Sequence, residues 1–164
     1  MLNARLKLAS LAMIAMVGAG AAEAQGRYDR YGYHAPKAAA VDVQQSGRGN
    51  GAAVSQNGPR NAAAIRQDGV ANTGMINQTG AANDATIRQY GKNNDASISQ
   101  VGDNNVACVV QVGRNLSAGV VQEGSGLSAG VVQTKKGSYA IPGRLCALDP
   151  ANRGYWNRIG AKGY

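Results

Sequence analysis

One glutamine recurs every eleven residues without slippage, at Gln45, Gln56, Gln67, Gln78, Gln89, Gln100, Gln111, Gln122 and Gln133. Glycine follows two residues later at Gly47, Gly58, Gly69, Gly80, Gly91, Gly102, Gly113 and Gly124. Asparagine follows five residues later at Asn50, Asn61, Asn72, Asn83, Asn94 and Asn105. A β-branched aliphatic precedes each glutamine by two, from Val43 and Val54 through Ile65, Ile76, Ile87 and Ile98 to Val109, Val120 and Val131. A small residue stands two further back, as at Ala63 and Ala85. A fixed short period of this kind decides the fold before any local reading does.

Eleven residues also suit a right-handed helical supercoil. Composition excludes it, because every unit carries a glycine, at a cost of about 1 kcal/mol against alanine inside a helix. The apolar positions alternate with polar ones: in Ala85-Thr86-Ile87-Arg88-Gln89 the odd positions share one face and the even ones the other. That is the pattern of a strand with one buried side. The glycine stands where the chain must turn, and pairs such as Asn93-Asn94 tolerate left-handed turn angles. Each unit therefore predicts a strand of about five residues and a tight turn. Two units make a 22-residue rung, and rungs stack about 4.8 Å apart with like side chains in register. The expected fold is an all-β solenoid of about four and a half rungs, with Gln over Gln, Asn over Asn, and Ile, Val and Ala between two sheets. A disordered low-complexity segment would share the Gly, Asn, Gln and Ser content, but not the perfect period.

The motif Gln-x-Gly-x-x-Asn-x-Ala-x-x-x-Gln resembles the curlin repeat of curli fibre subunits. Gln45, Gly47, Asn50, Ala52 and Gln56 fill every position, and the units from Gln56, Gln78, Gln89 and Gln100 do so equally. Gly74 replaces one alanine, and Leu116 and Leu127 replace asparagine in the last two units. A C-terminal segment with cysteine also lies outside the pattern. The resemblance implies a secreted subunit that polymerises into extracellular amyloid fibres for adhesion and biofilm matrix. It implies as partners other copies of the chain, a second curlin-like subunit, an outer-membrane secretion channel and periplasmic holding factors.

Residues 1–24 are predicted as a signal peptide. Arg5 and Lys7 precede an apolar run from Leu8 to Gly20, too short to span a bilayer, and Ala22-Glu23-Ala24 suits cleavage before Gln25. Residues 25–40 hold Tyr28, Tyr31, Tyr33 and His34 without periodicity and read as a flexible arm. By the resemblance this arm addresses the secretion channel; an ordinary disordered leader is the alternative.

Residues 41–133 carry six basic and six acidic side chains, so the repeat block is formally neutral. Neutrality and scattered placement favour in-register stacking, because like charges opposed in a ladder repel. Residues 134–164 carry six basic residues and one acidic, for a charge of +5. With Pro142, Pro150, Tyr155 and Trp156 this segment reads as an irregular basic tail, save one short strand at Tyr155–Ile159. It suits either an anionic partner, such as a cell-surface polysaccharide or DNA, or a solvated cap on the sheet ends. A monomeric, capped solenoid that binds an anionic glycan or nucleic acid is the rival reading.

Cys108 is expected on the outer face, three residues before Gln111. In an oxidising compartment it either bridges to Cys146 or both remain free thiols. With one histidine, no clustered carboxylates and no phosphate-cradling loop, the sequence gives no support for an enzyme, a metal site or a cofactor.

Overall fold

The computed structural model describes residues 14–16 and 39–143. Eleven strands make up two sheets: β1 (Ile14–Met16), β2 (Ala40–Arg48), β3 (Gly51–Asn57), β4 (Ala62–Val70), β5 (Thr73–Thr79), β6 (Asp84–Lys92), β7 (Asp95–Val101), β8 (Val106–Arg114), β9 (Ser117–Glu123), β10 (Ser128–Thr134) and β11 (Gly137–Ile141). Even-numbered strands form the first sheet in the order β2, β4, β6, β8, β10, with β11 on its far edge. The second sheet runs β1, β3, β5, β7, β9.

From β2 to β10 all pairing is parallel with a 22-residue offset, so Gln45 lies beside Gln67 and Gln67 beside Gln89. This is a β-solenoid in which each rung contributes one strand to each sheet. The strands run seven to nine residues, longer than the five predicted. Pairing continues through the glycine: Gly69 and Val70 still lie beside Gly91 and Lys92.

The core lies between the sheets. Ile65, Ile76, Ile87, Ile98 and Val109 fill it with Ala63, Ala85, Ala96 and Ala107. Fully burying one such side chain contributes about 1.5–3 kcal/mol. At each corner the backbone takes a positive φ twice, at the glycine and two residues later. In the middle corners the second residue is Ala71, Ala82, Asn93 or Asn104. A Cβ on Gly47, Gly58, Gly69, Gly80, Gly91 or Gly102 would overlap the carbonyl oxygen of the glycine one rung on. The glycine columns are thus fixed by backbone stacking as well as by the turn.

Three features depart from the sequence reading. The segment after Thr134 is not irregular throughout, because β11 returns antiparallel along β10, pairing Thr134 with Gly137 and Gly130 with Ile141. Lys135 and Lys136 make its turn. Like charges are not fully scattered: Arg66 stands beside Arg88 and Lys92 beside Arg114, which solvent at the outer face and corner makes tolerable. Within the segment assigned to the signal peptide, Ile14–Met16 pairs parallel with Ala52–Val54 of β3. The cleavage point, most of the arm, Tyr155–Ile159 and Cys146 lie outside the described residues.

Candidate self-assembly site

The repeated glutamines point inward at the end of each strand. Gln67, Gln78, Gln89, Gln100, Gln111 and Gln122 are buried; Gln45, Gln56 and Gln133, at the ends of the stack, are partly exposed. From Gln56 to Gln111 each carboxamide does two things. Its Nε2 donates to the Oε1 of the glutamine one rung on, at 2.6–2.9 Å from Gln45 to Gln133 in the first sheet. The second sheet repeats this at 2.8 Å from Gln56 to Gln122. The remaining N–H crosses the core to the first carbonyl of a strand in the opposite sheet: Gln67 to Gly51, Gln89 to Thr73, Gln111 to Asp95. Only a primary amide of this length offers two donors and an acceptor in that geometry. The glutamine columns therefore tie rung to rung and sheet to sheet.

Asparagine acts differently from the side-chain ladder expected of it. Its Nδ2 donates to the carbonyl of the stacked corner glycine, as from Asn83 to Gly102 at 2.8 Å and Asn105 to Gly124 at 2.7 Å. Its Oδ1 accepts the backbone N–H one rung on, as from Asn83 to Asn61 at 3.0 Å. Amide-to-amide contact occurs at Asn72 to Asn50, 3.2 Å. Asparagine is a bracket between corners, its Nδ2 reaching forward along the chain to the stacked glycine carbonyl in every unit from Asn50 to Asn105.

That direction explains Leu116 and Leu127. Their backbone N–H groups still donate to Asn94 and Asn105, at 3.2 and 2.9 Å. No further corner of the repeat follows for their side chains to bracket. Leu116 Cδ1 instead lies 3.3 Å from where a Cβ on Gly113 would stand, and Leu127 Cδ1 lies 3.6 Å from the same point on Gly124. The leucines lie against the last two glycines.

Cys108 lies on the outer face of the first sheet, in register with Thr86 and Gly130, but it is fully buried. It is disulfide-bonded, and the chain's other cysteine is Cys146. A Cβ on Gly130 would collide with Cys108 Sγ, so the glycine makes room for the sulfur. The outward residues Val110 and Val132 are also buried, and the buried Ile141 of β11 lies beside Gly130, at the level of Cys108. A Cβ on Gly143 would crowd the carbonyl oxygens of Val106 and Ala129, which brings the chain back over the start of β8, three residues before Cys146. The signal for this covered face was present in the sequence as the valine doublets Val109-Val110 and Val131-Val132, which break the alternation.

The curlin associated repeat matches residues 40–69, 69–102 and 102–134, more than half of the chain. The chain belongs to the curlin repeat family. No match was found among curated proteins. Curlin repeats and β-solenoids are structural rather than enzymatic. Among the described residues there is no group of three or more His, Cys, Asp or Glu side chains able to hold a metal, and no helix long and apolar enough to cross a membrane.

Proposed function

We propose that this curlin-repeat chain is a secreted structural subunit of extracellular amyloid fibres that serve adhesion and biofilm matrix. It would assemble by adding rungs to an open edge. The observation that carries this reading is the continuity of the columns: every inner amide is satisfied by the rung before and the rung after it. An edge with an unpaired backbone and an unfilled amide column is a template for the same sequence. An unfolded chain that pairs there gains the bonds its own interior rungs have. The same edge is a hazard before export, which supports a dedicated outer-membrane channel and periplasmic holding factors as partners. The +5 tail supports retention on an anionic cell-surface polysaccharide.

The test is assembly of the mature chain from Gln25. A concentration-dependent lag in thioflavin-T fluorescence, shortened by preformed seeds, together with a 4.8 Å meridional reflection, is the expected result. A chain that stays monomeric and unseedable at all concentrations would overturn the proposal. It would favour the second reading, a capped solenoid that binds an anionic glycan or nucleic acid, whose specific support is β11 on the edge of β10.

A further inference from the structure

The chain contains two Asn-Gly pairs, Asn50-Gly51 and Asn57-Gly58. This dipeptide is chemically labile, because glycine has no side chain to hinder its nitrogen from attacking the carboxamide before it. Hydrogen bonds to the two reacting groups restrain that attack in a fold, and the two pairs differ in them. The Gly51 N–H donates to the Asn72 carbonyl at 2.8 Å. The Asn50 carboxamide donates to the carbonyls of Ser46 and Gly69 at 2.8 and 3.2 Å, and accepts from the Asn72 N–H at 3.0 Å. Both reacting groups of this pair are tied.

Asn57-Gly58 stands at the end of β3, the first repeat strand of the second sheet. The Asn57 side chain is exposed, and among the described residues it has no hydrogen-bond partner. One rung on, the Gly80 N–H donates to the Asn57 carbonyl; Gly102 to Thr79 and Gly124 to Val101 follow, each at 2.9 Å. Gly58 heads this column, and among the described residues no carbonyl stands before it. Ile14–Met16 pairs only with Ala52–Val54 and stops short of Asn57. The Gly58 N–H is the corner amide that a further strand on the edge of β3 would hold.

We infer that Asn57-Gly58 is a self-modification site that dates an unjoined edge. The Gly58 nitrogen, its proton lost to water, forms a bond to Asn57 Cγ; the Cγ–Nδ2 bond breaks, and ammonia leaves with a proton from solvent. One water then opens the succinimide ring. Entry at the former main-chain carbonyl gives isoaspartate, and entry at Cγ gives aspartate. No oxidant or reductant takes part. In isoaspartate the main chain runs through Cγ, and the Asn57 carbonyl becomes a free carboxylate. The Gly80 N–H and Asn61 Nδ2 then lose the acceptor from its place in the ladder. The Gly58 corner is stacked so closely that a Cβ on it would overlap the Gly80 carbonyl oxygen, so the added main-chain carbon puts it out of register. Such an edge is a poor template for the repeat. This role rests on the fibre-subunit reading: a strand joined in register supplies Gly58 with the carbonyl that Asn57 supplies to Gly80, and stops the reaction. A joined subunit keeps its asparagine, and one left at a bare edge loses it.

The test compares long fibres of the mature chain with the same fibres sonicated short, aged together at mildly alkaline pH and mapped by electron-transfer mass spectrometry. Breakage multiplies free edges, so isoaspartate at Asn57 should rise in the short fibres by the ratio of ends. Asn50 should react about tenfold more slowly, the factor that one backbone hydrogen bond supplies. Aged short fibres should seed fresh monomer several-fold more slowly than unaged ones. Seeds of Asn57→Thr, which carries the residue that Thr79 places in the same column, should not age. Equal modification of Asn57 in long and short fibres would overturn the edge role, as would undiminished seeding by aged wild-type fibres. Equal rates at Asn50 and Asn57 would overturn the site itself. If no thioflavin-positive, cross-β material forms, the fibre reading and the edge role fail together, and the site is decided on the monomer by the same comparison of Asn50 with Asn57.

Discussion

The middle of the stack and its C-terminal end share one repeat but solve different problems. In β4 to β7 the outer face is exposed or half-buried and carries Arg66, Asp68, Ser97 and Ser99, while everything inward is sealed. In β8 and β10 the outer face is buried too, at Cys108, Val110, Val132 and Thr134. The same valine doublet on the second sheet, Val120-Val121, leaves Val121 71% exposed, so the covering belongs to one sheet alone. The middle is built to be continued by an identical neighbour. The end is built to be finished by something else. An unbroken eleven-residue period can therefore hide a change of role, and the change is read in the residues that depart from it.

The sharpest way to break this comparison is one outer column that passes through both regions, Gln44, Arg66, Arg88, Val110 and Val132. Val132→Asp would place an unpaired charge on a buried face and should lower stability by about 3–5 kcal/mol. Arg66→Asp, two rungs into the exposed part, should stay within about 0.5 kcal/mol. Denaturant melts of the two variants decide it; equal losses would mean that the outer face is uniform.

A smaller contrast lies in the glycine column. Gly91→Ala must hold a positive φ and push its Cβ into the Gly113 carbonyl, and should destabilise by about 2–4 kcal/mol. Gly124→Ala has only the φ strain, about 1 kcal/mol, since no glycine carbonyl stacks on it. Thermal unfolding should rank them in that order.

The amide columns come next. Gln89→Ala leaves Gln67 Nε2, Gln111 Oε1 and the Thr73 carbonyl each one bond short, at about 1–3 kcal/mol for each buried group left unsatisfied. Part of this is recovered where groups relax, so the net loss should approach that of one group. Assembly should slow markedly, and Ser99→Ala should leave it unchanged. Comparable lag times for the two would refute the assignment of inner and outer faces.

The smallest effect is electrostatic. Desolvation at the start of β6 raises the Asp84 carboxyl above the ordinary carboxylate range. The folded state then holds this proton more tightly than the unfolded one. The group's contribution to stability is present below the ordinary carboxylate pKa and is lost as pH rises through the raised one. Asp84→Asn should flatten that slope, seen as a smaller change in melting temperature across the acid range.

Most of the architecture was legible because an eleven-residue period with alternating apolar positions admits few solutions. The glycines, the inward glutamines and the β-branched column all follow from it. The asparagine role was not legible as bracket rather than ladder, since side-chain length alone does not say which of two nearby backbone groups an amide will reach. Nor was β11: Gly137–Ile141 carries no repeat and follows two lysines, and its pairing depends on the edge that β10 offers. The outer position of Cys108 followed from register. Its burial did not, because that depends on what crosses the face, and only the valine doublets hinted at it.

The parallel pairing has a mechanical side. Backbone hydrogen bonds in both sheets run along the solenoid axis, so a pull along that axis loads every bond of a rung interface at once. Inside the chain each interface is backed by the covalent thread that winds from rung to rung, and a subunit under tension can unwind like a spring without parting. Where one chain meets the next there is no thread. A fibre of such subunits should fail under load at its junctions, and its tensile strength should track how completely the joining rungs match.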